Sequence, residues 1–355
     1  MSPGRYDVII VGQGLAGSCL ALRLLERHQR VLVLDRDEAV TSSKIAAGLM
    51  TPIVGQRFAL SWRFTEFHSA ALAFYSAIEQ RTGRQLLWTR SYVRVFRDQK
   101  ERDRCQTRLP NVAASLQARL LAPGADELRS SVAPWGGLFL PEVLQLDAAG
   151  FLQTTRERLE QTDSVRSVEL QPDEPMQFEA DAITLPRLGV TAGRLVYCGG
   201  AEDRCRPHFS SLRFLPAKGE ILSLRTSRLE SGRILSGGVW LAPATEGTFR
   251  LGATYDSQHL NQEPTESGKD WLLSRLRNMV GEQEAEVIGH QAAVRPALND
   301  QKPILGLSPK CPQIGLFNGL GSKGSLQAPW LAAHFVAHLL DESPLIPEVR
   351  WREKA

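Results

Sequence analysis

The chain has 355 residues, and 42 Lys and Arg against 39 Asp and Glu leave a net charge of +3, too small to argue for nucleic acid and too small to exclude it. Hydrophobic residues make up 43% and charged residues 23%, which excludes a collagen-like or wholly disordered chain. The five cysteines (Cys19, Cys105, Cys198, Cys205, Cys311) are odd in number and form no C-x-x-C pair, which argues against a disulfide framework or zinc cluster and for a reducing cytoplasm. Length predicts two domains. No apolar run approaches the roughly 20 residues of a membrane span.

Tyr6 to Val11 is a short apolar, β-branched run of the kind found in a buried parallel strand. It leads into Gly12-Gln13-Gly14-Leu15-Ala16-Gly17, then Leu20, Leu24 and Leu25 at helical spacing, then a second strand-like run, Val31 to Leu34, ending at Asp35. This is β-α-β with G-x-G-x-x-G at its first turn. Gly12 allows the tight turn, Gly14 lets a pyrophosphate approach the backbone, and Gly17 lets helix and sheet pack closely. The helix N-terminus offers free N–H groups to phosphate. Asp35 suits a ribose hydroxyl. The motif alone does not separate NAD from FAD. Ala16-Gly17-Ser18-Cys19 faintly resembles a lipoprotein cleavage site, but Asp7 and the glycines break the required apolar core, so export is not expected.

Residues 41–52 are small, polar and turn-like, able to let backbone approach a flat ligand. Leu60, Phe64, Phe67, Ala71, Phe74 and Ile78 recur at helical spacing and predict an amphipathic helix with a core-facing aromatic stripe. A strand is expected over 86–97. The charged stretch 98–131 reads as surface helices and loops, with Arg97 to Arg108 as a solvated face. Asp147 is placed to cap a helix over about 148–160. Strands are expected at 164–170 and 194–198, the latter closed by Gly199-Gly200, a second place for backbone to approach a nucleotide. Strands crowd 213–256, a helix follows at about 265–280, and the chain closes with Arg295-Pro296, the turn Gly319 to Gly324 and an apolar helix from about 326 to 340. His334 and His338 share a face of that helix, but no third ligand suggests a metal.

A Gly-rich turn at each end of the chain suits FAD, whose length needs a second anchor near the flavin ring. Here the chain resembles the D-amino-acid oxidase superfamily, and glycine oxidases in particular. The resemblance runs nearly end to end, carried by Gly12-x-Gly14-x-x-Gly17, Ala46-Ala47-Gly48-Leu49, Phe214-Leu215-Pro216-x-Lys218-Gly219-Glu220, Leu251-Gly252-Ala253-Thr254, Arg295-Pro296 and Gly319-x-Gly321-x-x-Gly324.

The resemblance implies non-covalent FAD, with Gly12, Gly14 and Gly17 around the pyrophosphate and Asp35 on the adenosine ribose. Leu15, Ala16 and Arg36 join the same cofactor set. Ser43, Ala47, Gly48 and Leu49 would lie along the ribityl chain and flavin, Val165 would contact adenine through its backbone, and Gly199 would sit near the pyrophosphate. Gly321, Ser322, Lys323 and Gly324 would reach the pyrimidine edge. Arg295 would bind a substrate carboxylate, with Trp240 and Tyr255 completing the catalytic set. Two departures matter: glycine oxidases place a tyrosine where Trp240 stands and an arginine where Ser322-Lys323 stand. The turn Gly319 to Gly324 and Gly252 to Tyr255 are instead similar to the FAD domain of the bacterial enzyme that trims carboxymethylaminomethyl-uridine in tRNA.

The expected fold is mixed α/β: a discontinuous Rossmann-like FAD domain (1–80, 141–212, 290–355) and a second domain built on an antiparallel sheet (81–140, 213–289). The expected activity is oxidation of the C–N bond of a small carboxylate-bearing amine by hydride transfer to flavin N5. Oxygen or another acceptor would take the electrons. Nucleic acid enters only under the tRNA alternative. A flavin-binding electron-transfer subunit is the third reading.

Overall fold

The computed structural model describes residues 4–352 except 56, 112–115, 228, 231, 246 and 283. Two sheets organise the chain. In the first, five strands run parallel in the order Cys311–Asn318, Val190–Tyr197, Gly4–Val11, Val31–Asp35 and Val165–Ser167. Val190–Tyr197 also pairs antiparallel with Ile183–Leu185 through its first residues. Alternation along Gly4–Val11 sends Val8 and Ile10 into one core and Ile9 and Val11 into another, so both faces are covered and the strand reads as a continuous apolar run.

Helix Leu15–Glu26 returns along this sheet because Gly17 has no side chain: a Cβ there would run into the Gly12 carbonyl. The C-terminal helix Gly324–Asp341 packs on it and on helix Phe64–Thr82, whose Phe67, Ala71, Phe74 and Ile78 are buried as their spacing predicts. Gly324 is less tightly constrained: a Cβ there would stand 2.9 Å from Leu15 Cδ1, the end of a side chain on the first helix. The first turns of the two helices therefore lie side by side. His334 Nε2 accepts the Ile346 N–H and His338 Nδ1 lies 2.9 Å from the Ser343 carbonyl, so both histidines tie down the tail.

The second sheet runs Glu286–Arg295, Ala217–Arg225, Thr248–Gly252, Trp240–Pro243, Arg233–Ser236, Leu87–Val95, Gly137–Leu146 and Leu49–Met50, with Arg119–Leu121 added beside Gly137–Leu146. It is not wholly antiparallel, because Arg233–Ser236 runs parallel to residues 91–94. Its strands alternate: Leu222, Leu224, Leu241, Phe249 and Leu251 pack under helix Glu266–Val280, while Gly219, Ile221, Trp240, Arg250 and Arg295 face the first sheet's carboxyl ends. The boundaries expected at 141 and 290 cut through strands Gly137–Leu146 and Glu286–Arg295, which belong whole to the second sheet, as does Leu49–Met50. Ladder hydrogen bonds decide this, and composition carries no trace of them.

Two local expectations need correction. Only Val165–Ser167 of the stretch 164–170 is strand. The segment 98–131 contains a helix, as expected, at Gln99–Arg108, capped by the Asp98 side chain on the Glu101 N–H, but its face is not all solvated. Within that supposedly solvated face Glu101 is 1% exposed, because its carboxylate accepts from Arg94, from Arg97 Nε (3.1 Å) and from the Arg97 N–H (2.9 Å). Burial pushes that carboxyl up, but the Arg97 N–H and the two guanidiniums outweigh it and hold it below the ordinary value. The stability it confers is therefore present above the unfolded carboxyl range and lost as pH falls through the folded value. Glu101→Gln should cost about 3 kcal/mol in urea unfolding at neutral pH, and the gap from wild type should close on acidification. A gap that widens in acid contradicts this account.

Candidate active site

The carboxyl ends of the parallel strands open into a cavity of about 920 Å³, roofed by the second sheet. That is where an open α/β sheet binds ligands. At one end Asp35 anchors the turn: Gln13 N–H donates to its Oδ2 (2.6 Å) and Asp37 N–H to its Oδ1 (2.8 Å), leaving carboxylate lone pairs for a ribose. Ser43 Oγ accepts the Leu15 N–H (3.2 Å), while the N–H groups of Gly14 and Ala16 have no acceptor among the described residues. Arg36 lines the cavity, paired with Glu38 at 3.1 Å and Glu169 at 3.5 Å. Gly17 lies behind the lining as a packing residue. Val165 lies below the cavity. Val168 and Glu169, past the end of its strand, reach the lining instead.

Two residues at this end carry no sequence signal. Arg156 lines the cavity and donates to Gln13 Oε1 at 3.4 Å. Asp203, fully buried, accepts from Gly199 N–H (2.8 Å), Asn318 Nδ2 (2.7 Å) and Arg206 Nε (3.3 Å). It ties the Gly199-Gly200 turn to the residue that opens the Gly319 to Gly324 turn. Burial pushes its carboxyl up to about 6, against the pull of Arg206 and the two N–H donors.

At the other end Gly321, Ser322, Lys323 and Gly324 meet Ala47, Gly48 and Leu49 beneath Trp240 and Arg295. The Gly321 N–H donates to the Pro296 carbonyl (2.7 Å), so the turn is fastened to the residue after Arg295. Arg295 lies across Gly219, where any Cβ would collide with its guanidinium, and Nη2 donates to the Thr254 carbonyl at 3.2 Å. Trp240 lies likewise across Gly252, where a Cβ would collide with the indole. Burial lowers the pKa of Arg295, of Lys323 and of Arg250, and none of the three has a carboxylate partner among the described residues. Tyr255 falls outside the lining and is 73% exposed.

A family model for FAD-dependent oxidoreductases matches residues 7–339. The tRNA 5-methylaminomethyl-2-thiouridine biosynthesis bifunctional protein MnmC of Marinobacter nauticus is 25% identical over 96% of this chain and 56% of its own. The chain spans about half the length of the curated relatives it matches. Among solved structures, glycine oxidase from Geobacillus kaustophilus superposes with a TM-score of 0.85 at 21% identity, covering 99% of this chain and 100% of that one. Iminodiacetate oxidase from Chelativorans sp. gives 0.81 at 17%, covering 95% and 96%. The chain belongs to the FAD-dependent oxidoreductase family.

The residues present fit that cofactor. The unpaired N–H groups of Gly14 and Ala16 suit its pyrophosphate, Asp35 its ribose, and the Gly324 and Ser325 N–H groups, which have no acceptor among the described residues, the electron-rich edge of its ring. A Cβ at Gly14 would stand 3.0 Å from Ser43 Oγ, on the surface the phosphate needs. Gly14→Val should therefore purify colourless with an unchanged circular dichroism spectrum, while heat should release FAD from the yellow wild type. A yellow Gly14→Val protein would refute the cradle.

Proposed function

We propose that this chain oxidises the C–N bond of a small amine bearing a carboxylate, with FAD bound non-covalently. The observation that carries the reading is Arg295. A guanidinium held on a strand, largely withdrawn from water and without a carboxylate partner, is a poor structural device, because an unpaired buried charge costs free energy. It becomes a good one when a carboxylate completes it through two parallel N–H···O bonds. Bound FAD would supply the two-electron chemistry, accepting a hydride from the carbon next to nitrogen and so leaving an imine that water would hydrolyse.

The protein's part is orientation. Arg295 fixes the carboxylate, Gly219 keeps its guanidinium flat against the sheet, and the indole of Trp240 bounds the space beside it. Among the described residues the lining around Arg295 offers Gln262, Gln291, Ser322 and Lys323 but no Asp, Glu or His, and no side-chain base is needed if the amine binds neutral. The cavity's two cysteines, Cys198 and Cys205, lie beside Gly199 and Arg206 at its far end, which supports an untethered flavin.

The Trp240 indole has a single N–H donor and a broad apolar face. Glycine has no apolar surface to bury against it, so N-alkyl or larger amino acids should bleach the flavin faster under anaerobic conditions. The similarity to the tRNA-modifying relative favours one second reading, a carboxymethylamino group on a nucleoside, which Arg295 would hold in the same way. Comparing a free N-substituted glycine with the modified nucleoside in that assay separates the two. Glycine outpacing every larger or N-substituted amine tested would defeat the Trp240 argument.

Hydrogen bonds to a charged group are worth about 1.5–3 kcal/mol. Arg295→Ala should therefore weaken a carboxylated amine by roughly one to two powers of ten, with FAD content unchanged and little effect on an amine without the carboxylate. Equal loss on both amines would show that Arg295 supports the site in another way.

A further inference from the structure

The segment Ala46-Ala47-Gly48 lines the cavity as it leads into Leu49–Met50, the edge strand of the second sheet, with three successive carbonyls engaged by residues of that sheet. The Ala46 carbonyl accepts from Arg250 Nη1 (2.6 Å), the Ala47 carbonyl from Gln145 Nε2 (3.2 Å), and the Gly48 carbonyl from the Leu146 N–H (3.0 Å). In a planar trans peptide the N–H points opposite to the carbonyl before it. The N–H groups of Ala47, Gly48 and Leu49 thus point away from these donors, and all three residues line the cavity. The first two have no acceptor among the described residues.

The donors are themselves held. Gln145 is buried. Its Oε1 accepts from Arg90 Nε (3.3 Å), and since a guanidinium can only donate, the amide must present Nε2 to the carbonyls of Ala47 and Pro243 (2.8 Å). Arg250, on strand Thr248–Gly252, is largely withdrawn from water and lines the cavity without a carboxylate partner among the described residues. Gly48 has φ +72, and a Cβ there would run into the Leu146 carbonyl, so no other residue lets the segment lie this close to its clasp.

We propose that Arg250 and Gln145 are positioning residues for the flavin: they clamp the carbonyls of Ala46 and Ala47 outward, and so present a fixed row of N–H dipoles that favours the reduced cofactor over the oxidised one. The reduced ring carries more negative charge, so preorganised donors and the nearby Arg250 charge stabilise it more. The inference rests on FAD binding in this cavity but on no particular substrate, so it can fail while the amine reading stands, and the reverse.

The test is the reduction potential of the bound flavin, measured by anaerobic dye equilibration on the intact protein. Gln145→Leu removes a donor without changing charge; Arg250→Met removes donor and charge. Each should shift the ratio of reduced to oxidised binding at least tenfold toward the oxidised form, about 30 mV for a two-electron couple. Arg250→Lys, which keeps the charge but not the planar fork, should fall between wild type and Arg250→Met. If a variant purifies without flavin, titrating oxidised and reduced FAD into its apoprotein gives the same ratio, and the reduced form must lose more. If a truncation does not fold, Arg250→Lys carries the test with a smaller shift of the same sign. A ratio within twofold of wild type, or equal loss for both redox forms, overturns the proposal and leaves the clasps a purely structural role.

Discussion

Close approach at Gly17, where a helix meets the Gly12 carbonyl, and at Gly324, where a second helix meets the Leu15 side chain, sets the geometry on which the rest of the site depends. Gly17 lets helix Leu15–Glu26 press against the Gly12 carbonyl, and Gly324 lets the C-terminal helix start against Leu15. Two helix N-termini come side by side at the carboxyl ends of five parallel strands. Each leaves backbone N–H groups with no partner inside the helix, and both face one cavity. A methyl group at Gly17 would push its helix off the Gly12 carbonyl, and the electropositive floor would no longer be continuous.

The roof is built on the same rule with different chemistry. Arg295 and Trp240 lie flat across Gly219 and Gly252 on neighbouring strands, where a larger residue would lift them off the sheet. Flatness holds their polar atoms at a fixed height over the cavity, which is what orientation of a small substrate needs. Floor and roof are fastened to each other where the Gly321 N–H reaches the Pro296 carbonyl, and Gln145, Arg250 and the Leu146 N–H hold the Ala46 to Gly48 segment against the roofing sheet. The cavity is thus bounded by hydrogen bonds between the sheets as well as by shape.

Charge is handled in two ways. Toward the Asp35 end, ions are paired or capped: Asp35 by two backbone N–H groups, Arg36 by Glu38 and Glu169, Asp203 by Arg206. Toward the Arg295 end, Arg250, Arg295 and Lys323 are withdrawn from water and have no carboxylate partner among the described residues. Paired charges hold the protein together, whereas an unpaired cation facing a cavity is completed only by what enters it.

The β-α-β unit, the Phe64–Thr82 helix, the Asp147 cap and the C-terminal turn and helix were legible in the sequence. Each depends on spacing within a few residues: G-x-G-x-x-G ahead of a periodic apolar run, or a capping carboxylate before one. The cavity-lining glycines Gly12, Gly14, Gly321 and Gly324 were legible for the same reason, since a missing side chain at a tight turn is itself the signal. Only the tertiary structure decided that strands 137–146 and 286–295 belong whole to the second sheet, that Glu101 is buried, that Val168 and Glu169 rather than Val165 reach the cavity, and that Tyr255 stands outside it. It alone brought Asp203 to Asn318 across 115 positions and Arg250 to Ala46 across 204. These are contacts between residues far apart in the chain, and no local pattern of hydrophobicity or turn chemistry encodes which distant carbonyl a donor will meet.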